Sequence, residues 1–326
     1  MKIAITSQDG RGDFCFSGQP WDSFKSKLED LGHEITPLLS APDAVIFNNF
    51  SNSLARRIPK KVPKKHKFLI VWEPPANLPQ NFRSKNQQIF GKIFYPSPIW
   101  AEKFSGESFS WPQGSRRETV NRNWSQKKDK VCLIQANRWR ISTGEKYSFR
   151  RQVLKACNES IDIFGRDWNR GLIIDLMKFT SALPDAIISK SFSLRSIAGI
   201  GAKFDNYWGS IEKKLDVLSE YRFSLVIENS DEYVSEKIVD AVIAGTIPIY
   251  VGANLEVFGF PKEIAYVCNS DVNEISLAIR ELMENKNLQK HILESGRNFL
   301  SSRFFEEINN VNVLTELARE IGAELQ

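Results

Sequence analysis

Short apolar runs alternate with segments of helical spacing in the first third of the chain. Residues 21–31 carry apolar side chains three or four positions apart and stop at Gly32, which predicts a helix. Strands separated by helices or long loops favour a mostly parallel sheet. The predicted strands of this part are residues 2–6, 44–48, 67–72 and 92–95.

A second series of the same kind follows residues 111–130, a polar stretch with little periodicity that predicts an interdomain linker. Residues 167–210 fit neither pattern, and 287–326 has helical spacing. The predicted strands of this series are residues 131–135, 161–164, 223–227, 247–251 and 264–267, and its predicted helices are 147–157, 235–244 and 272–284.

These patterns predict an α/β protein with two Rossmann-like domains. We assign residues 1–120 to an N-terminal domain, 129–300 to a C-terminal domain and 301–326 to a final helix. We expect the C-terminal helices to pack back toward the N-terminal domain.

Composition places the chain in a broad class. With 42% hydrophobic and 25% charged residues among 326, it has the composition of a globular protein large enough for two full cores. No apolar run approaches the roughly 20 residues that span a bilayer. The first residues lead into a strand pattern instead of a signal peptide. We therefore expect a cytoplasmic protein.

The net charge of +5 is mild, but basic residues are concentrated at 56–67, RRIPKKVPKKHK. Such a run is typical of a solvated loop, and it can also attract an anionic acceptor or the anionic inner face of a membrane. Two prolines interrupt it and no aromatic residue interleaves with it, which argues against stacking on bases. Nucleic acid is therefore not expected as a partner, and peripheral membrane association stays open.

Cysteine and histidine offer little chemistry. The four cysteines are scattered without a CxxC pair, which favours free thiols over a disulfide framework or a zinc site. None of the three histidines is near another His or Cys, which argues against a metal centre and a Ser-His-Asp triad. Because no Asp-x-Asp pair occurs either, we expect no metal and no cofactor.

Residues 219–252 hold the densest set of candidate binding side chains. They read as a buried strand, a polar loop, a helix, a glycine stop and a second buried strand. In a doubly wound sheet the ligand lies at the carboxyl ends of the strands, and a helix N-terminus there favours a phosphate. The loop and the helix start contain Glu228, Asn229, Ser230, Tyr233, Ser235, Glu236 and Lys237.

Three further residues are candidates for a ligand site. Glu73 follows the apolar run 67–72 on a stiff Pro-Pro loop, so it is either an acid–base group or an ordinary loop carboxylate. Arg150 and Arg151 lie in the predicted helix after the loop 137–145. A guanidinium there can pair with a diphosphate or simply face solvent.

The stretch 219–252 resembles the signature of the α1,3-fucosyltransferase family of the bacterial type. The matching segments are YRFSL (221–225), ENS (228–230), YVSEK (233–237) and AGTIPIYVG (244–252). The family pattern runs roughly Y-K-F-x-L-x-x-E-N-S, a short gap, Y-V-T-E-K and G-x-x-P-[IV]-x-x-G. Ser235 stands where Thr is usual, and the gap after Asn229 is short. The resemblance covers about residues 130–267 well and the N-terminal half loosely.

The resemblance implies a GT-B fold, in which two Rossmann-like domains face each other across a cleft and the C-terminal one binds the donor. The segment Glu73-Pro74-Pro75 is similar to the one that supplies the family's catalytic base, which makes Glu73 the expected base. The family also places an arginine on the diphosphate, and the spacing fits Arg150 best, with Arg151 close behind.

The resemblance also implies roles for the loop and helix residues. Glu236 would bind the ribose hydroxyls, and Tyr233 and Asn229 would line the guanine nucleotide and sugar pocket. Lys237 and the helix start at Ser235 would stabilise the charge of the leaving diphosphate. The residues expected to support this site are Glu228, Ser230 and Gly252.

The implied function is an inverting glycosyltransferase that moves fucose from GDP-fucose to a glycan hydroxyl, in α1,3 linkage to N-acetylglucosamine or glucose. Lipopolysaccharide, capsule, other surface polysaccharides and glycoprotein glycans all stay open as acceptors. One alternative is a GT-B enzyme that uses another nucleotide sugar. The other is a non-catalytic protein that binds a nucleotide or a glycan.

Overall fold

The computed structural model describes residues 1–7, 21–114, 122–189 and 197–326, and these form two compact units. The first unit joins Met1–Gln113 to Glu306–Gln326, and the second unit is Gly114–Phe305. The sequence placed the corresponding boundaries at residues 120, 129 and 300. Cys15 lies outside the described residues.

The first unit contains a six-stranded parallel sheet in the order β2-β1-β3-β4-β5-β6. Every residue of β3 is buried, as is typical of a parallel strand covered on both faces. The strands are β1 (Lys2–Ile5), β2 (Glu34–Ile35), β3 (Ala44–Asn48), β4 (Lys67–Ile70), β5 (Lys92–Tyr95) and β6 (Glu107–Ser108). The helices are α1 (Trp21–Asp30), α2 (Asn52–Ala55), α3 (Ser84–Gln87), α4 (Pro98–Phe104) and α12 (Asn310–Ala323). Helix α11 (Arg303–Glu307) contains the boundary between the second unit and the returning chain.

Helix α12 completes the core of the first unit. Its buried residues Leu314, Leu317 and Ile321 belong to the same apolar cluster as Ile3 of β1 and Phe24 of α1. Burial of several large aliphatic side chains contributes roughly 2 kcal/mol for each of them. The expectation that the C-terminal helices pack back onto the N-terminal domain is therefore confirmed.

The second unit contains a five-stranded parallel sheet in the order β11-β10-β9-β7-β8. In this order β9 lies between β7 and β10, so the loops that follow these three strands are neighbours. The strands are β7 (Lys128–Ile134), β8 (Ile161–Phe164), β9 (Tyr221–Ile227), β10 (Ile247–Val251) and β11 (Tyr266–Val267). The helices are α5 (Tyr147–Ala156), α6 (Leu172–Ser189), α7 (Lys214–Ser219), α8 (Glu236–Ile243), α9 (Val272–Glu284) and α10 (Lys286–Leu300).

Helix α6 occupies part of the region in which the sequence showed no pattern. Its inner side carries Asp175, which is 1% exposed and accepts a hydrogen bond from the N–H of Gly201 at 2.9 Å. Its outer side carries Ile173 and Met177, which are 76% and 64% exposed. A carboxylate facing inward and aliphatic side chains facing outward reverse the usual amphipathic pattern, which explains why this helix was not predicted.

Most other predicted elements lie close to the observed ones, but β7 starts at Lys128, inside the predicted linker, and β11 is only Tyr266–Val267. The bounds of β3, β5, β8, β10 and α9 are those predicted. β4 ends at Ile70, two residues early, and the N–H of Trp72 donates instead to Oδ1 of Asn49 at 2.8 Å. Within the described ranges, no helix combines the length and apolar character that crossing a bilayer requires.

Candidate functional site

The loops after β7, β9 and β10 meet at the carboxyl edge of the second sheet. Gln135, directly after β7, donates its side-chain N–H to the carbonyl of Ile227 at the end of β9, at 2.7 Å. The N–H of Glu228 donates to the carbonyl of Val251 at the end of β10, at 2.8 Å. These hydrogen bonds join the ends of β7, β9 and β10. The three loops therefore form one connected site, although they are far apart in sequence.

Glu228 is the most enclosed carboxylate of this edge, with no exposed surface. Its oxygens accept hydrogen bonds from the N–H of Ser235 at 2.8 Å, from the Ser235 hydroxyl and from Nζ of Lys237 at 2.8 Å. A buried carboxylate needs such donors because its desolvation is costly. Glu228 therefore ties the polar loop to the first turn of α8.

Lys237 reaches back from α8 over this carboxylate. Its side chain is 14% exposed, and its Nζ contacts Glu228 and, at 2.8 Å, the Ser235 hydroxyl. An ammonium group has three N–H donors, and these two partners account for two of them in the described part of the chain. Lys237 therefore has a donor left for a ligand beside the N-terminus of α8.

Arg150 and Asn229 form the second part of the site. The Arg150 guanidinium donates to the carbonyl of Ile227 and to Oδ1 of Asn229, both at 2.7 Å. Asn229 in turn donates to the hydroxyl of Tyr233 at 3.0 Å. Burial lowers the pKa of Arg150, against the opposing effect of nearby groups such as Glu228. Arg150 thus fixes the side chain of Asn229, and through it the loop after β9.

Arg151 lies elsewhere, although it is the next residue along α5. Its guanidinium stacks on Trp139 at 3.7 Å and donates to the carbonyls of Ala198 and Arg138, at 2.8 and 3.0 Å. Burial lowers its pKa to about 10. The structure therefore brings Arg150, and not Arg151, to the loop that carries Glu228 and Asn229.

Glu236 begins α8 and is partly exposed. Its carboxylate lies 3.6 Å from Nζ of Lys214, which also pairs with Asp240 at 2.6 Å. Burial alone would raise the pKa of Glu236, but the charges of Lys237 and Lys214 outweigh it and hold that pKa below its usual range. The carboxylate is therefore kept ionised as a hydrogen-bond acceptor.

Ser230 and Gly252 shape the backbone around these side chains. Ser230 is buried and pairs with Glu145 through an isolated antiparallel bridge. A Cβ at Gly252 would collide with the hydroxyl of Tyr250 and lie 2.8 Å from Cγ of Glu228. Only glycine fits at that position without displacing the buried carboxylate.

The loop after β7 is the part of the site that the sequence did not reveal. Buried polar atoms nearly always have a hydrogen-bond partner, so a cluster of unpaired ones marks a place prepared for a ligand. The unpaired buried atoms at this edge, counted over the described residues, are Gln135 Oε1, Asn137 Oδ1, Trp139 Nε1, Arg140 Nε, Ser142 Oγ, Arg150 Nε and the Tyr250 hydroxyl. No local sequence signal identifies this loop, because it joins the site through the pairing of β7 with β9.

Glu73 occupies the carboxyl end of β4 in the first unit. Its N–H lies 3.3 Å from Oδ1 of Asn49, and its carboxylate accepts a hydrogen bond from the side-chain amide of Asn77 at 2.5 Å. The neighbouring Trp72 is buried, and its ring packs edge-on against three others, Trp21, Phe109 and Trp111. Glu73 is therefore a partly exposed carboxylate on a rigid support.

The described residues include no group of three or more His, Cys, Asp or Glu side chains placed to hold a metal ion. The thiols of Cys132, Cys157 and Cys268 are free and buried. Burial raises the pKa of Cys132 and that of Cys268 to about 12, so neither is a reactive thiolate.

Curated relatives match only a part of the chain. It is 35% identical over 82 residues to an α-(1,3)-fucosyltransferase of Helicobacter pylori, and 33% identical over 97 residues to a putative fucosyltransferase-like protein of Arabidopsis thaliana. These matches cover 23% and 25% of the chain and span 17% and 19% of the relatives' own lengths. No protein-family model matches the chain.

Solved structures resemble the whole chain. The Anabaena protein Alr3699/HepE, in complex with UDP-glucose, aligns over 99% of this chain and 100% of its own at 10% identity, with a TM-score of 0.60. An α1,3-fucosyltransferase aligns over 96% and 91% at 14% identity with a TM-score of 0.51, and a GDP-bound form gives 0.50. At such low identity these likenesses show the fold, and they confirm the predicted GT-B class of two parallel α/β units. The suspected resemblance to fucosyltransferases is supported by both comparisons.

Proposed function

We propose that this protein is an inverting glycosyltransferase that transfers fucose from GDP-fucose to a glycan hydroxyl, in α1,3 linkage to N-acetylglucosamine or glucose. The observation that carries the proposal is the arrangement built by residues 219–252. There the motif residues Glu228, Ser235 and Lys237 form one hydrogen-bonded group at the N-terminus of α8. The partial match to fucosyltransferases supports the same assignment.

The chemistry assigned to this group is stabilisation of the leaving nucleotide. As the bond between the sugar C1 and the diphosphate oxygen breaks, its electron pair passes to that oxygen. The free N–H of Lys237 and the N-terminus of α8 offer positive charge where this negative charge develops. We assign the ribose hydroxyls to the ionised Glu236.

We assign Glu73 as the general base. The acceptor oxygen attacks C1 from the face opposite the diphosphate, which inverts the configuration, and its proton passes to the Glu73 carboxylate. Asn77 holds one oxygen of this carboxylate, so the other is the one assigned to the proton transfer. The assigned role of Arg150 is to hold the loop of Asn229 and Tyr233 around the nucleotide.

Calorimetric titration with GDP, followed by a transfer assay with GDP-fucose, tests the proposal. We expect GDP to bind and fucose to be transferred to a glycan acceptor carrying an N-acetylglucosamine or glucose residue. A protein that does not bind GDP at all would refute the assignment. A glycan array with labelled GDP-fucose would then distinguish lipopolysaccharide, capsule and glycoprotein-type acceptors.

A second candidate is a glycosyltransferase that uses a uridine nucleotide sugar. The observation in its favour is the full-length structural likeness to the Anabaena protein solved with UDP-glucose. Parallel titrations with GDP and UDP, and transfer assays with GDP-fucose, GDP-mannose and UDP-glucose, separate the two. Nucleotide binding without transfer or donor hydrolysis would instead indicate a non-catalytic binding protein.

The proposed working place is the cytoplasmic face of a membrane, reached by the basic run 56–67. Its lysines and arginines are mostly exposed, and Lys61 is paired with Asp43 at 3.4 Å. Cosedimentation with vesicles containing phosphatidylglycerol, compared with vesicles of phosphatidylcholine alone, tests this step. Equal sedimentation with both would contradict it.

A further inference from the structure

A cavity of about 380 Å³ opens at the edge of the second sheet opposite to the candidate site. Lys127, directly before β7, and Gly245 to Pro248, at the start of β10, line it. These are the amino ends of parallel strands, whereas Gln135, Glu228 and Gly252 follow the carboxyl ends. The cavity is therefore separate from the site assigned to the nucleotide sugar.

Lys127 provides a buried cation in this cavity. It is 5% exposed, and its Nζ donates to the carbonyl of Ala244 at 2.8 Å and lies 3.4 Å from the Thr246 hydroxyl. Neither partner is charged, and no carboxylate pairs with Lys127 in the described ranges. Burial, with the charge of Arg122 acting in the same direction, lowers its pKa to about 8. A buried ammonium group without a counter-ion favours an anion beside it.

Two arginines add charge around the same cavity. Arg122 and Arg297 both line it and both are exposed. Arg122 lies 3.5 Å from Glu220, whereas no ion pair involves Arg297 in the part of the chain that the structure describes. Among the described residues, the three cations Lys127, Arg122 and Arg297 and the one paired carboxylate, Glu220, leave an excess of positive charge at this cavity.

Apolar side chains form part of the cavity wall. Ile292 and Leu293 of α10, Val242 and Ile243 of α8, and the ring of Trp124 line the cavity. The lining of this cavity is about equally polar and apolar. Its volume lies above the roughly 300 Å³ at which small-molecule sites begin. A bare inorganic anion would leave the aliphatic walls uncovered, and a neutral hydrocarbon would leave the cations without a partner.

We propose that this cavity is a second ligand site, which binds an amphipathic anion: a carboxylate or phosphate group joined to an apolar chain or ring. The anionic group pairs with Lys127 and Arg297, and the apolar part packs against α10 and Trp124. This site does not depend on the proposed transferase activity, because none of its lining residues belongs to the nucleotide-sugar site.

Calorimetric titration of the full chain with decanoate tests the proposal, with acetate and decyltrimethylammonium as partner probes. We expect decanoate to bind, acetate to bind far more weakly because it lacks the apolar chain, and decyltrimethylammonium not to bind because its charge is reversed. Failure of decanoate to bind overturns the proposal. If acetate binds as tightly as decanoate, the ligand need not have an apolar part. If decyltrimethylammonium binds as tightly, the ligand need not be an anion. Either result overturns the proposal.

Variants locate the site. Arg297→Glu replaces an attractive charge at the cavity by a repulsive one and should weaken decanoate binding at least about tenfold. Arg280→Glu is the matched control, because Arg280 is an exposed arginine of α9 that does not line the cavity. Equal decanoate affinity in the two variants overturns the proposal.

Lys127→Met provides the second check, and circular dichroism confirms that each variant is folded. We expect this variant to lose decanoate binding while GDP affinity is unchanged. Unchanged decanoate affinity in a folded Lys127→Met protein would show that Lys127 only caps the carboxyl end of α8, and the site would be rejected.

Discussion

Glu73 and Glu228 occupy equivalent places in the two units and have opposite surroundings. Each follows the carboxyl end of an inner strand of a parallel sheet, β4 in the first unit and β9 in the second. Glu228 has no exposed surface and accepts from Ser235 and Lys237, whereas Glu73 is partly exposed and accepts from Asn77. The two glutamates thus have the same position in the fold, but they differ in exposure and in the number of hydrogen bonds that they accept.

The comparison shows why topology alone does not identify a catalytic carboxylate. The oxygens of Glu228 are occupied by donors that fix the loop and the helix, so protonation there would disturb the structure. In Glu73, Asn77 contacts one carboxylate oxygen, and the other oxygen is the one assigned to accept a proton. We therefore expect substitutions at the two positions to affect different quantities, activity for Glu73 and stability for Glu228.

The largest expected effect is that of Glu73→Gln on transfer. Loss of a general base lowers turnover about 10²- to 10⁴-fold, while GDP affinity and the unfolding midpoint should not change. Steady-state kinetics, calorimetry and thermal unfolding measure the three quantities. Glu102→Gln, at an exposed carboxylate of α4, is the control. Full turnover in the Glu73→Gln variant would show that Glu73 is not the base and that its role does not differ from that of Glu228 in this way.

The next effect is that of Glu228→Gln on stability. The substitution removes the ion-pair partner of the largely buried Lys237, which should cost about 3 kcal/mol in the free energy of unfolding. Denaturant titration measures this loss, with the Glu73→Gln protein as reference. Equal unfolding midpoints for the two variants would show that burial of Glu228 has no energetic role.

A smaller effect is expected for Lys237→Met on nucleotide affinity. Removal of one charged donor to the diphosphate should weaken GDP binding about tenfold. Calorimetry at low ionic strength measures it, and Lys237→Arg should restore part of the affinity because the positive charge returns. If GDP binds equally well to the Met variant, Lys237 does not contact the nucleotide, and its role is limited to the ion pair with Glu228.

The smallest effect is that of Asn77→Ala on turnover. Loss of one hydrogen bond to the Glu73 carboxylate should lower kcat roughly fivefold through looser positioning of the base, with little change in the KM for the donor. Full-rate transfer by this variant would show that the rigid strand end alone holds Glu73 in place.

The sequence predicted the elements whose signal is local. The apolar runs of β3, β5, β8 and β10 gave their bounds, and the residues from Glu228 to Lys237 lie together because they follow one another in the chain. Helix α6 was missed because its buried side carries Asp175 and its exposed side carries aliphatic residues.

The remaining features depend on contacts between distant segments. Spacing favoured Arg150 only narrowly over Arg151. Adjacent residues of a helix point about 100° apart, and the tertiary contacts show that Arg150 is the one that reaches Asn229. The loop with Gln135 and Asn137 belongs to the site because β7 pairs with β9, and that pairing is not written in either segment alone.

Because α12 belongs to the core of the first unit, that core cannot be completed until the end of the chain has been synthesised. Chains emerge from the ribosome N-terminus first, so Ile3 and Phe24 are made long before Leu314 and Ile321, which cover them. The whole continuous segment Gly114–Phe305 is translated in the interval. The apolar surface of the N-terminal part therefore stays uncovered until α12 has been made, and the second unit is the first that can finish folding.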